Sequence, residues 1–220
     1  MKLEKLAGVR KAMAGAMAKS WAEIPHFAEI VQIDAKPLLD RLAALRAEGQ
    51  RVSVNDLIVH AAIRTLAIVP AFNGVFVDGA IERPEGATVA FAVATDHGLM
   101  TPVIREADTL SLADLSTRIR DLSERARTRR LAPDEFEGAV MTVSNLGTLG
   151  IDTGFPVINQ RQTALLFAGA IAERPWVIDS QVVARLTLYL TLAADHRIID
   201  GVTSARYLGA LRAILEEGEA

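Results

Sequence analysis

The string Ala194-Asp195-His196-Arg197-Ile198-Ile199-Asp200-Gly201 sets a histidine and a carboxylate four residues apart, between a strand pattern and a helical one. Residues 185–192 alternate, with Leu186, Leu188, Leu190 and Leu192 on one face and Arg185, Thr187, Tyr189 and Thr191 on the other. That is the period of a strand. From Val202 the apolar positions become Val202, Ala205, Leu208, Leu211 and Leu215, which is helical spacing, with Asp200 or Gly201 as starting residue. His196 therefore sits on a short connection between two rigid elements, where an imidazole can be held still yet stay reachable as a general base. A turn histidine that merely satisfies its local backbone is the plain alternative.

The motif D-H-R-x-x-D-G resembles the signature of the catalytic domain of dihydrolipoamide acyltransferases, the core subunits of 2-oxo acid dehydrogenase complexes, and more distantly that of chloramphenicol acetyltransferase. Family-like stretches run in order along the chain: Gly8-Val9-Arg10-Lys11-Ala12-Met13-Ala14, Pro25-His26-Phe27, Ser53-Val54-Asn55-Asp56 and Gly98-Leu99-Met100-Thr101-Pro102-Val103. Thr142-Val143-Ser144-Asn145-Leu146-Gly147 and Pro156-Val157-Ile158-Asn159 follow, so the resemblance covers essentially the whole sequence. It implies one-step transfer of an acyl group between the thiol of a dihydrolipoyl arm and the thiol of coenzyme A. A free thiol, with a pKa near ~8.5, is mostly protonated at neutral pH, so the step needs a base that titrates close to working pH. His196 fits that base, and the resemblance implies Ser144 as the hydrogen-bond donor to the tetrahedral oxyanion, a role worth ~3 to 4 kcal/mol.

Without the resemblance Ser144 reads as a turn residue bonding its local backbone. Asp200 has two roles open to it, orientation of the active-site loop through a salt bridge and N-capping of the last helix. Arg10 and Arg197 are both available as partners for nearby carboxylates. His26, His60 and His97 read as structural or surface residues, and Asn159-Gln160-Arg161-Gln162 departs from the Pro-containing stretch of the resembled family. The resemblance further implies a homotrimer with active sites between subunits, His196 from one chain and Ser144 from its neighbour. Coenzyme A enters as a substrate. The lipoyl group would come on a separate domain, because Lys36 lies at a helix start and no lipoyl hairpin is apparent; the decarboxylase and dihydrolipoamide dehydrogenase components are the further implied partners. Two rival readings are a catalytically silent scaffold of the same fold and a hydrolase using Ser144, His196 and Asp200, for which the G-x-S-x-G elbow is missing.

Composition narrows the classes. The 220 residues are 50% hydrophobic and only 5% aromatic, enough for one aliphatic core and one domain; the resemblance implies that 1–220 is an acyltransferase catalytic domain. With no cysteine, disulfides, thiolate metal sites and a cysteine nucleophile are excluded, and no metal is expected. A net charge of −3 gives no electrostatic reason to expect nucleic acid. The longest apolar run, 163–172, is far short of the ~18 residues a membrane span needs, and no signal-peptide core precedes it. A cytoplasmic protein without a membrane partner is the expectation.

The elements that must position the chemistry follow from period and punctuation. Helices are expected over 9–22, after Pro37 up to Gly49, from Ser53 with Asp56 as a capping box, and from Ser111 with Asp114. The last of these ends in Arg125, Arg127, Arg129 and Arg130, read as a solvated helix terminus favoured by the macrodipole over a phosphate site. Strands are expected over 27–33, 75–77, 88–94, 99–104, 139–143 and 164–170, with a hairpin over 176–194 turning at Asp179-Ser180. The pattern is α+β with a mixed β-sheet; the resemblance implies a two-layer sandwich with helices on one face, like chloramphenicol acetyltransferase. The acidic close of the sequence, Glu216-Glu217-Gly218-Glu219-Ala220, offers no apolar anchor, so a trimer without a higher shell is expected.

Overall fold

A computed structural model describes residue 3 and residues 5–218. In chain order the elements are α1 (Gly8–Glu23), β1 (His26–Asp34), α2 (Lys36–Ala47), α3 (Val54–Ile68), β2 (Val75–Val77), β3 (Ala80–Glu82), β4 (Val89–Phe91) and β5 (Val93–Thr95). They continue with β6 (Gly98–Met100), β7 (Val103–Ile104), α4 (Leu112–Arg127), β8 (Met141–Asn145), β9 (Ala164–Ala168), β10 (Ala172–Ile178), β11 (Gln181–Asp195) and α5 (Gly201–Glu216). The main sheet has the order β1-β11-β9-β8-β4-β7, with β10 paired to the outer half of β11. β8 runs parallel to both β9 and β4 while the other pairs are antiparallel, which makes the sheet mixed.

One face of the sheet carries the core. Leu188, Leu190, Leu192 and Ala194 of β11 point the same way as Ala164, Leu166 and Ala168 of β9 and Met141 and Val143 of β8, and meet Leu57, Ala61, Leu115, Leu208 and Leu211 of the helices. Strand period 2 sends the alternate residues Tyr189, Thr191, Phe167 and Ser144 to the opposite face. α1 stands apart from this helical layer: only Ser20 is buried along its described length, with its hydroxyl bonded to the Ile158 carbonyl across the other face.

Local chemistry explains the element ends. Ser53 and Asp56 exchange both bonds of a capping box at the start of α3, and Ser111 accepts from the Asp114 amide at the start of α4. Asp179 and Ser180 both take positive φ in the tight turn between β10 and β11. The expected strands 88–94 and 99–104 are each broken in two. Their inner halves, β4 and β7, pair inside the main sheet, whereas the outer halves, β5 and β6, peel away as a separate hairpin. Pro102 has no N–H for the ladder and marks the break. The hairpin is also longer than expected, since β10 starts at Ala172, and β3 went unread because its residues are all exposed. Of the basic helix end, Arg125 is held by Asp121 and Glu135 and Arg130 by Glu124.

Arg185 and the Lys36 amide bind the Asp34 carboxylate at the corner between β1 and α2. Burial works against the charged form there, but the hydrogen bonds from Arg185 and Lys36 outweigh it and hold the carboxyl below its ordinary range. A carboxylate with a lowered folded pKa contributes stability above its unfolded pKa, ~3.9, and loses it as pH falls through the lower folded value. Asp34→Asn should therefore lower the urea midpoint at pH 6 and flatten the loss of stability between pH 5 and 3. Equal acid slopes in variant and wild type would show that the pair contributes nothing.

Candidate active site

The turn bearing His196 is fixed on every side but one. The amides of Ile198 and Ile199 donate to the Asp195 carbonyl and close the turn, and Ile199 is buried as its anchor. The His196 amide donates to the Pro25 carbonyl at 3.0 Å, which ties the turn to the entry of β1. Asp195, buried at the strand end, accepts a bidentate pair from Arg197 at 2.7–3.1 Å as well as the Arg197 amide. The guanidinium lies over the ring of Phe76, 4.1 Å from its centroid. Arg197 is thus the partner of Asp195, while Arg10 lines a cleft with His97 and Arg129.

The His196 imidazole itself is exposed and rests against the ring of Phe27, centroids 4.4 Å apart. Asp200 is the N-cap of α5: its Oδ1 accepts from the Thr203 amide at 2.7 Å. A hydrogen bond from the Thr203 side chain is the first cause of its lowered pKa, the bond from the amide the second, with Arg206 and His196 adding attraction through space. Thr203 is thus the partner of Asp200, and no ion pair to it is seen among the described residues. His26 is a tie, as expected of a structural residue: Nδ1 donates to the Ile24 carbonyl at 2.7 Å and Nε2 accepts from the Ile158 amide at 3.0 Å. Burial, followed by the nearby Arg64, pushes His60 below the ordinary histidine range inside α3, away from this turn.

Ser144 stands near the far end of β8, on the face away from the helices, half-buried. The turn that follows is closed by its neighbour, Asn145, whose Oδ1 accepts from the Gly147 amide at 2.9 Å. Ser144 is therefore not the turn-capping residue, and its hydroxyl is left for other work. The turn is packed main chain against main chain. A Cβ on Gly147 would run into the Gly169 carbonyl, and one on Gly169 would run into the carbonyl of Asp152, so glycine is required at both. Arg174 pins the crossing loop by its bond to Asp152 at 2.5 Å. Beside the turn, a cleft of about 970 Å³ is lined by Asn145 and Thr148 on one side and by Arg46, Arg51, Arg120 and Arg127 on the other.

Within one chain the two candidate groups do not meet. Ser144 lies level with Phe167, and Phe167 level with Thr191, two strands over and five residues short of His196. At standard strand dimensions that is about 16 Å along the sheet and about 10 Å across it. A hydrolase triad of Ser144, His196 and Asp200 inside one protomer is excluded by this spacing. The contact that sequence reading missed is Phe27 beneath His196; of the two arginines open as carboxylate partners, Arg197 takes that role with Asp195. P-H-F and D-H-R carry their residue types, but only the register of β1 with β11 brings them together.

The family model for 2-oxoacid dehydrogenase acyltransferases (catalytic domain) matches residues 1–220. A protein of Rickettsia bellii, a dihydrolipoyllysine-residue acetyltransferase component of pyruvate dehydrogenase complex, is 33% identical over 213 residues, covering 94% of this chain and 51% of that protein. The chain thus spans about half the length of the curated relatives it matches. A probable dihydrolipoamide acetyltransferase from Listeria monocytogenes superposes with TM-score 0.92 at 31% identity, over 99% of this chain and 95% of that one. The dihydrolipoamide acetyltransferase of Azotobacter vinelandii gives 0.90 at 30%, over 98% and 92%. It was solved in a study of a serine, a histidine and an asparagine in its mechanism, the serine 52 residues before the histidine and the asparagine four after it. Chloramphenicol acetyltransferase, at TM-score 0.60 and 16% identity over 91% and 94%, shares the fold. On the match over its whole length, the chain belongs to the 2-oxoacid dehydrogenase acyltransferase catalytic-domain family.

Proposed function

We propose that the chain transfers an acyl group between a dihydrolipoyl thiol and coenzyme A, as the catalytic core of a 2-oxo acid dehydrogenase complex. The observation that carries this is a coincidence of spacing: Ser144, His196 and Asp200 stand at the same intervals as the serine, histidine and asparagine of the Azotobacter vinelandii acetyltransferase. His196 takes the proton from the attacking thiol, and the thiolate adds to the thioester carbonyl carbon. The carbonyl oxygen becomes an oxyanion, which the Ser144 hydroxyl stabilises by donating to it. Collapse breaks the original C–S bond, and the departing sulfur takes the proton back from His196. Asp200 serves geometry, holding the start of α5 and with it the turn. The four arginines of the cleft at Asn145 and Thr148, on the helix side of the sheet, suit the phosphates of coenzyme A, which enters as a substrate; the lipoyl group arrives on a separate domain. The decarboxylase and dihydrolipoamide dehydrogenase would be the remaining components of the complex.

Because His196 and Ser144 of one chain lie at different ends of the sheet, a complete site takes them from two chains. A homotrimer supplies that arrangement. Its support is the apolar surface left on the face opposite the helices: Ile30, Trp21 and Phe155 are 57%, 59% and 52% exposed. Glu216 near the acidic end is engaged by the Asp34 amide and Arg212, while Glu219 and Ala220 lie outside the described residues.

A mixing experiment tests chemistry and assembly together. His196→Ala and Ser144→Ala chains, each inactive alone, should recover about a quarter of the wild-type rate when dissociated, mixed equally and reassembled. Three quarters of random trimers are mixed, and each mixed ring joins one intact histidine to one intact serine. Light scattering should give a mass of about three protomers or a multiple of it. No recovery from well-mixed trimers would overturn the shared site.

A further inference from the structure

We propose that Glu29 is a positioning residue for His196, acting with Ser204 as a hydrogen-bonded pair beneath the first turn of α5. The helix-facing residues of β1 are Phe27, Glu29, Val31 and Ile33, and the three hydrophobic ones pack on the core. Glu29 is the charged exception in that row. Its Oε1 lies 3.4 Å from where a Cβ of Gly201 would be, so the absence of a side chain at the first residue of α5 makes room for the carboxylate. Its Oε2 is shielded from solvent and has no hydrogen-bond partner among the described residues.

A second orphan stands on the same helix as Gly201. Ser204 is fully buried, and its Oγ too is without a partner. It follows Gly201 by three residues, which on a helix is the same face, here the face that packs on β1. A bond from the Ser204 hydroxyl to Glu29 Oε2 would satisfy both groups at once. A half-buried carboxylate with one shielded oxygen facing a lone hydroxyl is a poor stabiliser, and a leucine would serve the fold better. A residue that breaks the local pattern at a cost to the fold is a sign of function nearby. The nearby function is His196, five residues before Gly201 on the turn that α5 begins, its ring resting on Phe27, two residues from Glu29. Pinning the first turn of α5 to β1 fixes the distance between the turn and the strand that supports the imidazole.

This inference rests on the reading of His196 as the base, and the test separates the two. The full chain is prepared as wild type, Glu29→Leu, Glu29→Gln, Ser204→Ala and Glu29→Leu/Ser204→Ala, and acyl transfer from acetyl-CoA to dihydrolipoamide is measured with the thermal midpoint. Glu29→Leu should lower kcat ~10-fold with KM for acetyl-CoA near wild type, while the midpoint stays level or rises. Glu29→Gln, which still accepts a hydrogen bond, should keep most of kcat. Ser204→Ala should match Glu29→Leu in kcat but lower the midpoint, because it leaves the carboxylate unpaired, and the double variant should be no worse than either in kcat and regain the midpoint of Glu29→Leu. A wild-type kcat in Glu29→Leu, a fall in that variant's midpoint that parallels its fall in kcat, a Glu29→Gln as slow as Glu29→Leu, or additive effects in the double variant would each overturn the proposal. If instead the wild type moves no acyl group, or His196→Ala still does, the reading of His196 fails, and the coupling in the midpoints decides on the pair by itself.

Discussion

Replacing His196 with alanine should lower kcat for acyl transfer to coenzyme A by ~10³-fold or more and leave the fold unchanged. The two halves of this expectation have separate causes. The thiol that attacks is mostly protonated at neutral pH, so removing the base leaves only a small thiolate fraction to react. The fold is spared because the imidazole is exposed and rests against the Phe27 ring, whereas the bond that ties the turn to Pro25 comes from the His196 backbone and survives in alanine. The measurement is thioester formation from acyl-CoA and dihydrolipoamide at saturating substrate, with the thermal midpoint alongside. A folded variant within tenfold of the wild-type rate would remove His196 from the chemistry.

For Ser144→Ala the expected loss is ~10²- to 10³-fold in kcat with a modest change in KM, because the hydroxyl bonds an oxygen that carries full charge only in the transition state. Stability should hold, since Asn145 and not Ser144 closes the following turn. The serine donates a hydrogen bond and does not attack, so mass spectrometry after a quench with acyl-CoA should find no acyl group on it. An acyl-serine, or ping-pong kinetics, would replace direct transfer by a covalent route.

The helices were legible in the sequence because their signals are local: Ser53 with Asp56, Ser111 with Asp114 and Pro37 each mark a start through residues at most three apart. The hairpin turn at Asp179-Ser180 was legible for the same reason. Strand breaks were not, because whether 88–94 stays one strand depends on partners far away in sequence, with only its first half buried between β7 and β8. The candidate site divides in the same way. The types and intervals of Ser144, His196 and Asp200 are written in the chain, and so is the N-cap of α5, one of the two roles open to Asp200. The separation of Ser144 from His196 is not, since it arises from the register of three strands. The basic end of α4 shows a mixed outcome: Arg125 and Arg130 are engaged by carboxylates, yet Arg127 turns into the cleft beside the Ser144 turn.

The crossing of Gly147, Gly169 and Asp152 bears on how Ser144 could work. A hydroxyl carried by a flexible loop must be oriented anew in every catalytic cycle, and the lost freedom then counts against the rate. Here the strand that carries it runs straight into a turn clamped backbone to backbone at Gly147, Gly169 and Asp152. The entropy of orienting the donor is given up once, when the chain folds, and does not recur during turnover.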